Sequence, residues 1–208
     1  MTRPTISVVT PVHPGRISNG MYRQAMDSVG AQTLLPDAIC TAIDIDGEGA
    51  APTRQRALMM ARTDWVAMLD SDDVFLPRHL QWLMHHAQET GADFVYSWFK
   101  IMYADGTILE DDPIFPVGHY LNEFDPNDPI ETTVTTLVRT ELAQSVGFAP
   151  MPGRIEAGHN SGEDRSFTLG CLAAGAKIVH LRRKSWLWHH HGQNTSGLPT
   201  KGDAVMTR

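Results

Sequence analysis

Cysteine is scarce in this chain: Cys40 and Cys171 are the only two among 208 residues. They stand far apart, and no C-x-x-C pair occurs, which excludes a zinc knuckle and a dithiol redox motif. Both read as buried thiols of a reducing compartment. Positive charge is short as well. Seventeen Lys and Arg against 24 Asp and Glu leave a formal charge of −7, which argues against a broad nucleic-acid surface. The short basic run Arg182 to Lys184 reads as a solvated strand end. Long apolar runs are missing, so no segment reaches the length of a bilayer span. The opening "MTRPTISVVTPV" runs into a proline turn and reads as a strand, not as a signal peptide, which makes a cytoplasmic location the default. A glycine-rich phosphate loop ending in lysine is also lacking. "GEGAAPTR" has the glycines without the lysine, which counts against a nucleotidyl- or phosphotransferase of that type.

What is present is a folding composition: 42% hydrophobic and 20% charged residues, enough for one domain with a sizeable core. Strand and helix patterns alternate through the first half. "ISVVTPV" is β-rich, and we expect Pro11 to break it and His13 to Gly20 to form a loop. Met21 to Gln32 has helical spacing, "AICTAIDID" is a second strand, and Gly47 and Gly49 mark a turn. A helix over Thr53 to Ala61 precedes the strand "DWVAML", and another closes at Gly91 before the strand "DFVYSWFKIMY". Asp111 to Pro129 and Pro150 to Gly162 read as loops, with "TTVTTLVR" and "TELAQSVG" as strand and helix between them. "DRSFTLGCLAAG" and "AKIVHL" are the last helix and strand, before a tail that opens with "SWLWHHHGQNTSG". This order predicts an α/β fold, a mostly parallel central sheet with helices on both faces. Ligands of such sheets bind beyond the carboxyl ends of the strands.

One of those ends is "LDSDD". Asp70, Asp72 and Asp73 put three carboxylates within four residues, a costly arrangement without a cation between them. Spacing alone does not choose between a helix cap for the helix after Pro77 and a metal site. Oxygen ligands of this kind suit Mg²⁺ or Mn²⁺, which bind one or two carboxylates together with phosphates. Glu163 and Asp164 in "GED" could be simply the favourable acids of a helix N-terminus. His189, His190 and His191 could be a solvated loop.

The order of the motifs resembles the GT-A fold glycosyltransferases of the family-2-like, inverting group. The pieces are "ISVVTPVH", "IDIDGEG", "APTRQRAL", "WVAMLDSDDVFLPRHL", "TTLVRTELAQSVGF", "GEDRSFTLGCLAAGAKIVHL" and "HHHGQNTSG", in the family's order from Ile6 to about Gly197. The resemblance implies a Rossmann-like single catalytic domain over 1–208. Its nucleotide-binding part covers about 1–75, its acceptor and metal-closing part about 76–197, and a flexible tail 198–208. It implies that Asp70-Ser71-Asp72 is the D-x-D motif, with Asp70, Asp72 and His191 as metal residues for Mn²⁺ or Mg²⁺. His189 and His190 are the neighbours of His191 that could replace it. Thr10, Pro11 and Val12 would line the nucleoside pocket, and Asp44 and Asp46 would contact base or ribose. Arg54 would join the nucleotide-sugar site, although Gln55 stands where the family has Asn. Asp164 would be the general base, with Glu163 the neighbour able to replace it.

The activity so implied is a hexosyl- or N-acetylhexosaminyl-type transfer from a nucleotide-sugar, UDP-sugar first, to an acceptor hydroxyl with inversion. A retaining GT-A enzyme and a non-catalytic sugar-nucleotide binding module are the alternatives. A helix N-terminus beneath Asp164 is expected to keep its pKa low. Tyr120, Trp186 and Trp188 are candidate sugar-stacking surfaces, with packing as the simpler role.

Overall fold

The computed structural model describes residues 3–110, 123–126, 134–148, 162–191 and 194. Eight strands and six helices occur among them. In chain order these are β1 (Ile6–Val12), α1 (Pro14–Ser18), α2 (Met21–Gly30), β2 (Ala38–Ile43), α3 (Ala50–Leu58), β3 (Trp65–Met68) and β4 (Val74–Phe75). There follow α4 (His79–Thr90), β5 (Phe94–Tyr103), β6 (Ile108–Leu109), β7 (Thr136–Arg139), α5 (Thr140–Val146), α6 (Glu163–Ala173) and β8 (Ile178–His190). The strands form one sheet in the order β2-β1-β3-β7-β5-β8-β4, with β6 added to β5. β1, β2, β3, β5 and β8 run one way, while β4, β6 and β7 run against them. The expected mostly parallel sheet is therefore present.

Alternation along each strand divides the core in two. Ile6, Val8, Ala67, Val95 and Leu137 face one side and pack with Ala25 and Val29 of α2 and Leu80 and Leu83 of α4. Val9, Val66, Met68, Phe94 and Val138 face the other, against Ala57 and Leu58 of α3, Ala143 of α5, and Phe167 and Cys171 of α6. Helices thus cover both faces, as a buried parallel sheet requires. Close approach of α5 and α6 depends on Gly170, where a Cβ would stand 2.5 Å from Val146 Cγ1.

Four expectations are corrected. Pro11 does not break β1. β3 pairs only as far as Val9, whereas β2 pairs on to Val12, so the missing N–H of Pro11 faces a side that β3 has already left. His13 to Gly20 is not a loop throughout; His13 caps α1 through Nδ1, which accepts from Gly15 N–H at 3.1 Å. Arg182 to Lys184 is not a strand end. β8 continues to His190, and the partner of Ser97 is Leu181 while that of Trp98 is Lys184, so Arg182 and Arg183 form a bulge inside the strand. The "SWLWHH" stretch is accordingly strand, paired in part with β4, a two-residue strand that sequence pattern did not reveal.

Trp186 lies in the core and Trp188 packs against it, which is the packing role. Tyr120, most of the loops Asp111 to Pro129 and Pro150 to Gly162, and the tail 198–208 lie outside the described residues. Among the described residues, no helix is long and apolar enough to cross a membrane.

Candidate functional site

The acidic cluster sits where the sheet ends. Leu69 N–H donates to Val9 O at 3.0 Å, the last bond between β1 and the chain leaving β3. The chain then turns, with Asp73 N–H on Asp70 O at 3.1 Å, and returns as β4. β4 runs antiparallel to β8, with Val74 opposite Leu187 and Phe75 opposite Trp186. That pairing carries the end of β8 past the cluster. His189 N–H donates to Asp73 Oδ1 at 3.0 Å, and His191 Nε2 lies 3.1 Å from Asp72 Oδ2.

Strand alternation selects among the histidines. His189 and His191 share one face, their rings 5.7 Å apart and edge to face. His190 points to the opposite face, stacked on Trp188 and edge-on to Tyr103. Asn194 fixes the run: its Oδ1 accepts from His191 N–H at 2.9 Å, and its Nδ2 donates to His189 O at 2.8 Å. The three-residue spacing from His191 to Asn194 thus has a local cause.

Each carboxylate of the cluster has its own partner. Asp72 Oδ2 also meets Arg16 Nε at 3.0 Å. Asp70 Oδ1 accepts from Arg54 Nη2 at 2.7 Å. The other terminal amine of Arg54 donates to Glu163 Oε1 at 3.0 Å and Asp164 Oδ1 at 3.3 Å. Arg54, on α3, is only 2% exposed, and its guanidinium lies over the Phe148 ring, 5.1 Å from the centroid. Phe148 is in turn stacked on Phe167 and anchored by its N–H on Gln55 Oε1 at 2.8 Å. Gln55, the departure from the family's Asn, thereby holds the platform under Arg54. Gly147, at φ 68, makes the turn into it.

Burial works against the charge on Arg54, but Asp70, Asp164 and Glu163 together raise its pKa above the ordinary range. The carboxyls respond in the opposite way. Burial raises the pKa of Asp70 against the pull of Arg54, and Asp72 adds to the rise. Burial, with Asp72 and Asp70 nearby, raises Asp73 well above the carboxylate range. Asp164 is pushed up to about 7, by burial first and then by Glu163 and Asp70, with Arg54 opposing. The low pKa expected from the start of α6 is overturned. Desolvation and two neighbouring carboxylates outweigh one helix end and one guanidinium.

The structure therefore brings Arg54, Asp70, Ser71, Asp72, Glu163, Asp164 and His191 into one constellation at the strand ends. Thr10, Pro11 and Val12 lie beside it at the end of β1, all buried, and Thr10 Oγ1 has no hydrogen-bond partner. Asp44 is buried and tied up locally. Its N–H donates to Val12 O, and its two carboxylate oxygens accept from Glu48 N–H and Gly49 N–H at 2.8 and 3.0 Å. Asp46 is exposed on the following turn. Arg16 was missed by sequence reading, and so was the place of Phe148. Nothing in the "HPGRIS" pattern signals a cation aimed back at Asp72.

The Glycosyl transferase family 2 model matches residues 31–147. No curated protein sequence matches the chain. Among solved structures, S. aureus TarS 1-349 in complex with UDP-GlcNAc is 16% identical with a TM-score of 0.69, covering 94% of this chain and 62% of that one. The same TarS fragment in complex with UDP is 16% identical with a TM-score of 0.65, covering 89% and 60%. The chain thus spans about 60% of the length of the TarS fragment that it matches. The family match takes in more than half of the chain, from just after α2 to just after α5, and includes the acidic turn Asp70 to Asp73. The chain belongs to glycosyl transferase family 2 and has the GT-A architecture.

Proposed function

We propose that this chain transfers a sugar from a nucleoside-diphosphate sugar, UDP-sugar in the first place, to an acceptor hydroxyl with inversion, and that it uses a divalent cation. The observation that carries the reading is Arg54. One buried guanidinium spans the strand-end carboxylate Asp70 and the pair Glu163 and Asp164, so the donor-side and acceptor-side acids face each other across a single charge. TarS structures hold UDP and UDP-GlcNAc, which supports uridine as the first nucleoside to try here.

The residues fit a divalent cation. Asp70, Asp72 and Asp73 each offer a carboxylate oxygen, all within 4.8 Å of one another. The donor set is hard oxygen, as Mn²⁺ and Mg²⁺ require. Asp70 is held through Oδ1, which leaves Oδ2 for a ligand. Among the described residues, five carboxylates of this constellation meet two arginines, Arg16 and Arg54, so added positive charge would be stabilising. Asp70 and Asp72 would hold the cation, with His191 beside them. When bound, it supplies Lewis-acid stabilisation to the departing diphosphate.

The remaining roles fall to the chain itself. Thr10 to Val12 line one side of the nucleoside region. Asp164 Oδ1 is engaged by Arg54, so Oδ2 takes the proton of the acceptor hydroxyl as its oxygen bonds to the anomeric carbon and the bond to the diphosphate breaks. A pKa near 7 is matched to that task, because a general base works best near the ambient pH. Replacing Asp164 by Asn keeps size and hydrogen bonding but removes the proton acceptor. Turnover in Asp164→Asn is expected to fall roughly a hundredfold or more, with UDP affinity nearly unchanged. Wild-type transfer rates in that variant would sink the base assignment, and a product of retained anomeric configuration would sink the inverting mechanism.

A further inference from the structure

Arg16 has no role in the reading above, yet its Nε lies 3.0 Å from Asp72 Oδ2, the same oxygen that His191 approaches at 3.1 Å. We propose that Arg16 is a donor-binding residue that exchanges partners: it neutralises Asp72 until a divalent cation takes that carboxylate, and then turns to the diphosphate oxygens of the donor. The inference rests on the donor-site reading and adds a residue to it.

Four observations carry it. A divalent cation and a guanidinium on one carboxylate are like charges at close range in a half-buried site, so binding the first loosens the second. The nearest anion to receive the freed guanidinium is then the diphosphate that the cation holds, and the planar fork of arginine pairs two phosphate oxygens at once. Arg16 sits on the five-residue α1, none of whose residues is buried outright, and its side chain keeps 15% exposure beside Asp72 at 20%, so the pair stands at the solvent edge of the site. Finally, the other arginine of the constellation is committed: Arg54 is buried, and both of its terminal amines are engaged with Asp70, Glu163 and Asp164. Arg16 follows directly on β1, whose end carries Thr10 to Val12, so its reach and the nucleoside region coincide.

The exchange predicts effects of opposite sign. Arg16→Gln removes a competitor for Asp72 and a partner for the diphosphate. In calorimetric titrations of the full chain it should tighten binding of Mn²⁺ alone by about fivefold, and weaken binding of UDP at saturating Mn²⁺ by about tenfold. Arg23→Gln makes the same charge change on the exposed face of α2 and should alter neither. Weakening of both ligands by Arg16→Gln would mean that Arg16 merely supports the fold, and would overturn the proposal. So would unchanged UDP binding, or an equal gain in Mn²⁺ affinity from Arg23→Gln. If Arg16→Gln does not fold, as judged by its melting transition, Arg16→Lys carries the test. It keeps the charge and loses the fork, so Mn²⁺ binding should hold while UDP binding weakens, and unchanged UDP binding would overturn the proposal. A wild-type chain that binds no UDP with Mn²⁺ fails the donor-site reading itself, before any variant is measured.

Discussion

Buried polar side chains in this molecule divide into those that serve the constellation and those that serve the core, and His79 is the clearest of the second kind. It is fully buried, stacked on Phe75 with 4.1 Å between ring centroids. Its Nδ1 lies 2.7 Å from Ser185 Oγ, which lies 2.6 Å from Ser97 Oγ. Burial lowers its pKa to about 3, so the native state keeps the ring neutral, whereas the unfolded chain protonates it near 6.5. The unfolded state therefore binds more protons between these values. The contribution to stability is complete above about pH 6.5 and is lost as the pH falls toward 3, by about 1.4 kcal/mol per pH unit. Asp164 acts in the opposite sense, because its raised pKa costs stability as the pH climbs from the carboxylate range to about 7. Subtraction isolates His79. Denaturant titrations at pH 7 and pH 5 should show wild type losing about 2 kcal/mol more than His79→Asn. Equal losses in the two proteins would contradict the assignment.

At the scale of elements, the most informative unit is the pairing of β4 with β8. A two-residue strand has no sequence signature, since periodicity needs more positions than Val74 and Phe75 provide. For the same reason the "SWLWHHH" stretch looked like a tail: its partner was invisible, and the Arg182–Arg183 bulge interrupted its alternation. The acidic turn itself was legible as a candidate, although "DSDD" alone left a helix cap and a metal site both open until it was placed in the order of the motifs. So were "GED" and the histidine run, through the order in which they occur. Which histidine faces the acids depended on a register that only the folded sheet supplies. That register makes a prediction. His191 and Asp72 share a face of the strand, and His190 lies on the other. His191→Ala should weaken Mn²⁺-dependent UDP binding several-fold more than His190→Ala does. An equal or reversed effect of the two variants would remove His191 from the site.

For the molecule as a whole, the fold brings distant short segments to one edge. Residues near positions 16, 54, 70, 164 and 191 meet at the carboxyl ends of β1 and β3, where an α/β sheet places its ligands. The architecture was legible because strand and helix patterns alternate and the motifs follow the family's order. Arg16 and the Phe148 platform were not, since each acts through a contact that depends on where two chain turns end up. The elevated pKa of Asp164 was hidden too, because it sums the burial and the neighbours of a site assembled from three segments. The central claim, a cation-dependent nucleoside-diphosphate site at that edge, is tested most directly by titrating UDP into the wild-type chain with Mn²⁺, with Mg²⁺ and after EDTA. The account predicts saturable binding with either cation and its loss on chelation. UDP binding of equal strength after EDTA, or none with either metal, would contradict it.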